Sequence, residues 1–136
     1  MIIDERLTVF INSLDQENPA YLNELELKAR ETNVPVIRTE TQSLLRTLLA
    51  ISRPETILEV GTAIGFSALC MSEYAPKGCQ ITTIEKYEKR IPIARENFRR
   101  FGKEDSIRLL EGDAADILPQ LEEEYDFIFM DAAKGQ

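Results

Sequence analysis

The sequence predicts an α/β fold in which N-terminal helices precede a parallel sheet of about four strands. Two observations predict it. Apolar residues recur at helical spacing up to about residue 53, and after that point short apolar runs alternate with amphipathic segments. Strands that alternate with helices form βαβ units, whose parallel sheet is covered on both faces. Such a fold is Rossmann-like and binds ligands at the carboxyl ends of its strands.

We therefore divide the chain into an N-terminal helical segment, residues 1–53, and a Rossmann-like half, residues 54–136. The first predicted helix carries apolar side chains at helical spacing, which are Ile3, Leu7, Phe10 and Leu14. The second predicted helix follows Asn18-Pro19 and breaks at 33–35. The residues that this second helix turns inward are Leu22, Leu25 and Ala29.

A third helix is predicted to begin with Thr39 as its N-cap, because Gln42 stands three residues further on, as in a capping box. This helix has a broad apolar face, so we expect it to be well buried. The face consists of Leu44, Leu45, Leu48, Leu49 and Ile51.

Four short segments predict the strands of the second half, at 57–60, 81–84, 107–110 and 127–130, and the last of them is fully apolar. Helices are predicted between them at 67–73, 88–101 and 114–121. The middle helix tolerates Pro92 because this residue lies close to its first turn, and Gly102 ends it. Right-handed crossovers then bring the carboxyl ends of the strands to one edge of the sheet.

Composition excludes several classes of protein. The 136 residues carry 16 Lys and Arg against 24 Asp and Glu, and this net charge of −8 argues against generic binding of polyanions. The absence of histidine excludes Ser-His-Asp catalysis and every His-ligated metal site. No apolar run approaches the roughly 20 residues of a membrane span. Cys70 and Cys79 suggest no disulfide framework, and no signal peptide is recognised, so we expect a cytoplasmic location.

Glycine or an acid follows each predicted strand. Gly61 and Gly65 form a tight turn, which is either an ordinary βα turn or one where the backbone approaches a ligand. Glu85 is either a solvated loop acid or a carboxylate placed to accept both hydroxyls of a ribose. Asp113 either caps the next helix or contacts a base. Asp131 either caps a turn or faces the crevice.

Together these segments resemble a known family. E-V-G-T-A-I-G-F-S stands at 59–67, an acid ends the second strand, G-D-A follows at 112–114 and Y-D-F-I-F-M-D-A-A-K at 125–134. The combination looks like a class I S-adenosylmethionine-dependent methyltransferase. More narrowly, it resembles the metal-dependent O-methyltransferases that include catechol and caffeoyl-CoA O-methyltransferases and bacterial tRNA 5-hydroxyuridine methyltransferases. V-P-V-I-R-T-E-T-Q at 34–42 resembles the segment that closes over the cofactor in this family.

The resemblance implies a site for S-adenosylmethionine, and the first half of that site would hold the methionine portion. The turn between Gly61 and Gly65 would surround it, and Ser67 would hydrogen-bond its carboxylate near a helix N-terminus. Glu59 would lie close to its amino group. Ile37, or a neighbour within 36–39, would close over the cofactor.

The resemblance also implies the remaining roles. Glu85 would bind the ribose hydroxyls, and Asp113 with the Ala114 amide would read the adenine edge. Asp131 would contact the cofactor, take part in catalysis and ligate Mg²⁺ or a similar hard cation, since carboxylate oxygen suits such ions. Lys134 would lie beside the acceptor hydroxyl as the candidate general base, and its simpler interpretation is a surface lysine.

Members of that family carry more chain after the D-x-x-K segment, including further strands and an acid and an amide that complete the metal site. The resemblance thus implies an incomplete methyltransferase fold here, and we expect no methyltransferase activity from this chain alone. The apolar strand at 127–130 would then stand at the edge of the sheet. Such an edge pairs with another copy or aggregates, so we expect a homodimer or a higher oligomer.

Two other functions fit parts of the sequence. An NAD(P)-dependent dehydrogenase shares the fold and the acid at Glu85, but Ala63 and Phe66 stand where G-x-G-x-x-G, counted from Gly61, requires glycine. A non-catalytic cofactor-binding module is the alternative from a different class. The resemblance covers about 34–136, and it favours the methyltransferase over both.

The acceptor stays open between a small hydroxylated molecule and 5-hydroxyuridine in tRNA. The net charge of −8 favours the small molecule, but the resemblance to bacterial members favours tRNA, so 5-hydroxyuridine in tRNA is the acceptor expected first and the small molecule is the alternative. An RNA requires a basic face for its phosphates. The candidates are Arg30, Arg38, Arg46 and Arg53, with Arg90, Arg95, Arg99, Arg100 and Lys103 on one predicted helix whose simpler interpretation is a solvated face.

Overall fold

The structure, a computed structural model, describes residues 4–132 and confirms the α/β prediction. Three N-terminal helices come first: α1 (Glu5–Ser13), α2 (Ala20–Glu31) and α3 (Thr39–Ser52). Strands and helices then alternate: β1 (Thr56–Val60), α4 (Phe66–Tyr74), β2 (Gln80–Glu85), α5 (Ile91–Arg100), β3 (Ile107–Glu111), α6 (Ala114–Ile117) and β4 (Phe127–Met130).

The four strands form one parallel sheet in the order β3-β2-β1-β4. Val60 stands opposite both Ile84 and Met130, and Glu85 stands opposite Glu111. The strand ends are therefore in register, so the residues that follow them share one edge of the sheet. This is the edge at which a Rossmann-like fold binds its ligands.

The core lies on both faces of the sheet. On one face, Leu22, Leu49 and Leu69 from the helices pack in one cluster with Ile57 and Ile81 of the central strands. On the other face, a smaller cluster around Leu58, Val60 and Ile84 is covered by side chains of α6 and the segment after it. Each fully buried aliphatic side chain of this kind contributes about 1.5–3 kcal/mol.

The third helix is less buried than the sequence predicts, and α1, which begins after Ile3, a residue outside the described range, buries none of its residues. Leu7, Phe10 and Leu14 lie mostly exposed on or just after α1. On α3 the buried residues are Gln42, Leu45 and Leu49, while the rest of the predicted apolar face is exposed, namely Leu44, Leu48 and Ile51. The spacing of three and four residues shows that α3 packs through one narrow stripe.

The predicted capping box is wrong. Arg38 occupies the N-cap of α3 without a side-chain cap bond, and Thr39 is the first helical residue. The reason is that Gln42 turns inward, where its amide donates to Ile37 O over 3.0 Å. A side chain engaged there is not available to return to the backbone of the cap.

Two other helices are shorter than predicted. A turn in which Arg90 N donates to Tyr87 O precedes α5, so the helix starts at Ile91 and Pro92 lies in its first turn. The helix predicted at 114–121 stops at Ile117 and continues as a 3-10 turn, Leu118–Gln120. Pro119 is the cause, because it has no N–H for the next α-helical hydrogen bond.

The helices are short compared with a lipid bilayer. The longest within residues 4–132 is α3, with 14 residues, whereas a span needs roughly 20 apolar ones. In that part of the chain, no helix is long and apolar enough to cross a membrane.

Candidate functional site

A cleft of about 550 Å³ opens at the carboxyl ends of β1 and β4. One wall is the segment 35–38, which we call the strap, and the other is the turn after β1. The cleft gathers four of the residues that the sequence singled out, which are Ile37, Gly61, Ser67 and Asp131. A small cavity of about 20 Å³ adjoins it and is lined by three more, Glu85, Asp113 and Ala114. Gly61 and Ala132 line both spaces, so the two halves of the site meet there.

The turn after β1 requires its two glycines. Gly61 has φ +101°, and a Cβ on it would lie 2.8 Å from the carbonyl oxygen of Asp131. Gly65 has φ +89°, and a Cβ there would lie 2.6 Å from the ring of Phe98. Side chains at these positions would meet both a strained backbone and a steric clash. The backbone of the turn thus lies directly against β4, beside the point where the two cavities meet.

Glu59 is fully buried beneath the cleft. Ser67 Oγ donates to its Oε2 over 2.5 Å, and Thr83 Oγ1 donates to its Oε1 over 2.6 Å. Because the Thr83 proton is committed to Glu59, the neighbouring hydroxyl of Thr62, at 2.6 Å, donates to Thr83. Burial raises the pKa of Glu59 to about 7, against the hydrogen bonds from Ser67 and Thr83, which lower it. The charges of Asp131 and Glu85 raise this pKa further.

Glu85 joins the turns that follow β1 and β2. Its side chain is buried, with Oε2 accepting from Ala63 N over 2.7 Å and Oε1 accepting from Tyr87 N over 2.8 Å. Ala63 holds a left-handed backbone, φ +50°. The interpretation of Glu85 as a solvated loop acid is therefore wrong, because burial and two backbone donors fix its carboxylate at the sheet edge.

Asp113 caps α6, as one interpretation of the sequence predicts. Its Oδ1 accepts from Ala115 N over 3.0 Å. Its Oδ2 binds Lys86 Nζ at 2.7 Å, and this hydrogen bond lowers the pKa of Asp113. Lys86 lines the same small cavity, and sequence reasoning missed it.

Asp131 is exposed directly after β4, and its backbone N–H donates to Val60 O over 3.0 Å. This bond extends the β1–β4 ladder past the strand end and places the carboxylate at the cleft. Within residues 4–132, no group of three or more Cys, Asp or Glu side chains is arranged to hold a metal ion. Lys134, the predicted general base, lies outside the described residues.

Most of the candidate basic residues are engaged by acids. On and near α5, Arg95 pairs with Glu111, Arg99 with Glu96 and Arg100 with Glu24, while Lys103 pairs with Glu73. This supports the solvated-face interpretation of that helix. Arg38 and Arg90 differ, since both line the cleft and neither has a carboxylate within 4.0 Å among residues 4–132.

The buried side-chain amide of Asn97 supports the turn between Gly61 and Gly65 from outside the cleft. Asn97 of α5 is 7% exposed, and its Nδ2 donates to Ile64 O over 2.7 Å. Sequence reasoning missed this residue because a lone asparagine within a basic amphipathic helix gives no signal of its own. Its spacing of three from Ala94 would have placed it on the buried face.

Comparison with known proteins shows consistent similarities. The family model described as O-methyltransferase matches residues 12–136. A catechol O-methyltransferase of Niastella koreensis is 34% identical over 110 residues, which cover 76% of this chain and 50% of that protein. The chain thus spans about half the length of this relative.

Solved structures agree with the sequence matches. The SAH-bound methyltransferase PaMTH1 of Podospora anserina superposes with a TM-score of 0.86 at 30% identity, covering 94% of this chain and 56% of that one. The O-methyltransferase of Bacillus cereus in complex with SAH gives a TM-score of 0.81 at 28% identity, covering 93% of this chain and 60% of that one.

Proposed function

Since the chain belongs to the O-methyltransferase family of the catechol and caffeoyl-CoA type, we propose that its cleft binds S-adenosylmethionine and that the protein transfers the methyl group to a hydroxyl. The observation that carries the proposal is the pair of cavities that meet at Gly61. One contains the glycine turn and Asp131, and the other contains Glu85 and Asp113. Two structural neighbours hold SAH, the product form of this cofactor.

The residues present fit the two ends of that cofactor by their chemistry, while the small cavity of about 20 Å³ would have to widen to admit ribose and adenine. At the large cavity, Asp131 offers a carboxylate to an ammonium or sulfonium group, and Arg38 and Arg90 offer guanidinium groups to a carboxylate. We assign the methionine portion to this side, near Ser67. At the small cavity, Glu85 is fixed by two backbone donors and retains lone pairs for ribose hydroxyls. We assign adenine to Asp113 and the Ala114 amide.

The bound cofactor would supply an activated methyl group on sulfur. This chain's own residues would hold the geometry of an in-line transfer, which depends on the alignment of oxygen, methyl and sulfur. Ile37 and Phe129 offer apolar surface in the cleft and would exclude water there. Ser67 already donates to Glu59, so a ligand carboxylate at Ser67 requires its hydroxyl to turn. The role of general base for Lys134 remains a proposal.

Metal assistance is a separate proposal. The resemblance implies Mg²⁺ at Asp131, yet the described residues offer one carboxylate there and no ligand cluster. Mg²⁺ requires several oxygens and keeps its waters. The described residues alone therefore do not fit the ion, and we derive no catalytic step through it. Loss of activity after chelation in the whole protein would support a metal.

We propose a small hydroxylated acceptor of the catechol kind. Two observations favour it over tRNA 5-hydroxyuridine: the net charge of −8, and the pairing of Arg95, Arg99 and Arg100 with acids. The tRNA acceptor is the second candidate, and the exposed Arg38 at the cleft favours it. The free thiols of Cys70 and Cys79 support a reducing compartment, for which we propose the cytoplasm.

The test is a methyl-transfer assay on the whole protein with labelled S-adenosylmethionine, with and without Mg²⁺. Transfer to catechol and none to tRNA bearing 5-hydroxyuridine would support the first acceptor, and the reverse would support the second. Binding of the cofactor without transfer to either would support the non-catalytic module. The 136-residue chain in the same assay is expected to show no turnover.

A further inference from the structure

Gln42 is an amide buried beneath one wall of the cleft. It belongs to α3, is 3% exposed and uses both ends of its side chain. Nε2 donates to Ile37 O over 3.0 Å, and Oε1 accepts from Asn18 Nδ2 over 2.7 Å. A buried amide in a helix stripe that is otherwise leucine is costly unless its polar atoms are satisfied, and these two bonds satisfy both.

The direction of these hydrogen bonds is fixed from the far end. Arg46 Nη2 donates to Asn18 Oδ1 over 2.7 Å, and Tyr74 Oη donates to the same oxygen. Arg46 can only donate, so the oxygen of Asn18 must face it and the Asn18 amide nitrogen must face Gln42. Gln42 then presents Oε1 to Asn18 and Nε2 to Ile37. The series of hydrogen bonds from Arg46 through Asn18 and Gln42 to Ile37 thus has one orientation.

The strap is held by the side chain of Ile37, which is buried in the core, and by the bond from Gln42 N to Arg38 O at the start of α3, but its backbone has few hydrogen bonds. A second cavity of about 340 Å³ lies on its other side, and the residues 35–38 line both spaces. Pro35 has no backbone N–H. Within residues 4–132, the bond from Gln42 is the one hydrogen bond that the backbone of 35–37 makes with protein. The side chain of Gln42 therefore supplies the hydrogen bond that fixes the backbone of 35–37, in addition to the packing of Ile37 in the core.

We infer that Gln42 is a positioning residue, which holds Ile37 and the strap in the position that narrows the cofactor cleft. The inference rests on the proposed function for the identity of the ligand, but not for the position of the strap. Without Gln42 the strap would sample the second cavity. The apparent affinity for the ligand would then equal the intrinsic affinity multiplied by the fraction of molecules whose strap is in place.

The test compares Gln42→Leu with Leu45→Ala, a core substitution one turn further along α3 that touches no strap hydrogen bond. Limited trypsin cleavage after Arg38, which is exposed within the strap, reports the mobility of the strap. Isothermal titration with SAH reports affinity. We expect Gln42→Leu to raise cleavage at Arg38 relative to Arg53 about fivefold and to weaken SAH about five- to tenfold. Leu45→Ala should leave the cleavage ratio and the SAH affinity of the folded fraction unchanged.

The cleavage ratio and the SAH affinity together decide for or against a positioning role of Gln42. A cleavage ratio in Gln42→Leu equal to that of the wild type would overturn the inference. An increased cleavage ratio with unchanged SAH affinity would overturn it as well. Failure of the wild-type protein to bind SAH would instead count against the proposed function, while the cleavage ratio would still test the strap. If Gln42→Leu does not fold, Asn18→Ala leaves Gln42 in place, removes its donor together with the acceptor of Arg46 and Tyr74, and should give the same changes at smaller size. An unchanged ratio in a folded Asn18→Ala would then overturn the inference.

Discussion

Ser67 donates its hydroxyl proton to the buried carboxylate of Glu59 over 2.5 Å, across the turn that joins β1 to α4. The pair links the floor of the cleft to the first turn of a helix. Thr83 holds the other carboxylate oxygen from the neighbouring strand. The site is therefore built on a buried acid whose pKa is raised by burial and lowered by the two hydroxyl donors.

Glu59→Gln should change the pH dependence of stability. Burial raises the pKa of Glu59 to about 7, above the usual value of about 4.3, so the folded protein binds this proton more tightly than the unfolded chain does. The stabilisation is fully present below about pH 4.3 and is lost as the pH rises through about 7. Glutamine does not titrate, so between pH 5 and pH 8 the variant should gain up to roughly 3 kcal/mol relative to wild type.

Urea unfolding at the two pH values measures this gain. Glu104→Gln, at an exposed position on the surface, is the matched control and should show no such gain. An equal difference between Glu59→Gln and wild type at pH 5 and pH 8 would show that Glu59 does not titrate in this range.

Gly61→Ala should destabilise the fold by more than the positive φ at residue 61 alone explains. Gly78 provides the control, because its φ of +92° resembles the +101° of Gly61 while a Cβ there meets nothing within 4 Å. Both substitutions carry a backbone cost of about 1–2 kcal/mol. Only Gly61→Ala adds the contact with Asp131 O, worth about 1–3 kcal/mol more. Thermal unfolding of the two variants measures the difference, and equal losses would refute the close approach of β4.

Asn97→Ala should destabilise the glycine turn. It removes the buried donor to Ile64 O and leaves that carbonyl without its side-chain partner, at a cost of about 1–3 kcal/mol. The exposed Asn23, whose side chain makes only a 3.3 Å bond to Asn18 O, is the control, and Asn23→Ala should cost less than about 0.5 kcal/mol. Denaturant unfolding compares them. Similar costs would show that the Asn97 bond contributes nothing specific.

The exposed strand β4 predicts self-association. It stands at the edge of the sheet, and Ile128 and Met130 are 58% and 65% exposed. Unpaired apolar edges pair with other strands. We expect sedimentation to show a dimer or higher oligomer, and Ile128→Lys to dissociate it. A monomeric wild-type chain at high concentration would contradict this prediction.

Local patterns predicted most of the fold. Short segments rich in aliphatic residues that end at glycine or acid located all four strands, because strands of a covered sheet are rich in such residues and must stop at a turn. Glu85 and Asp113 could be placed at the ligand edge for the same reason. The pattern did not reveal that β3 and β4, unlike β1 and β2, are exposed at alternate residues. Burial on the helices could not be predicted in this way, because a broad apolar face does not reveal which stripe packs. Leu48 and Leu49 are adjacent in sequence, and only Leu49 packs against the core.

The site was only partly predictable because its hydrogen bonds depend on tertiary register. The parallel pairing of β1 with β2 places Thr83 opposite Glu59, and no local pattern links residues 24 apart. Gln42 shows the same limit, since the sequence suggested a helix cap and the fold gives it the strap instead. Roles assigned through the resemblance, such as that of Ser67, remain predictions.

The most direct test of the account is calorimetric titration of this chain with S-adenosylmethionine, with NAD as the competing ligand. The account predicts that S-adenosylmethionine binds and NAD does not. Glu85→Ala should weaken binding at least tenfold, whereas Ala substituted for Glu111, which stands opposite Glu85 on β3 and is exposed, should leave it unchanged. Binding of NAD, or equal affinity in the Glu85→Ala and Glu111→Ala variants, would contradict the proposed cofactor site.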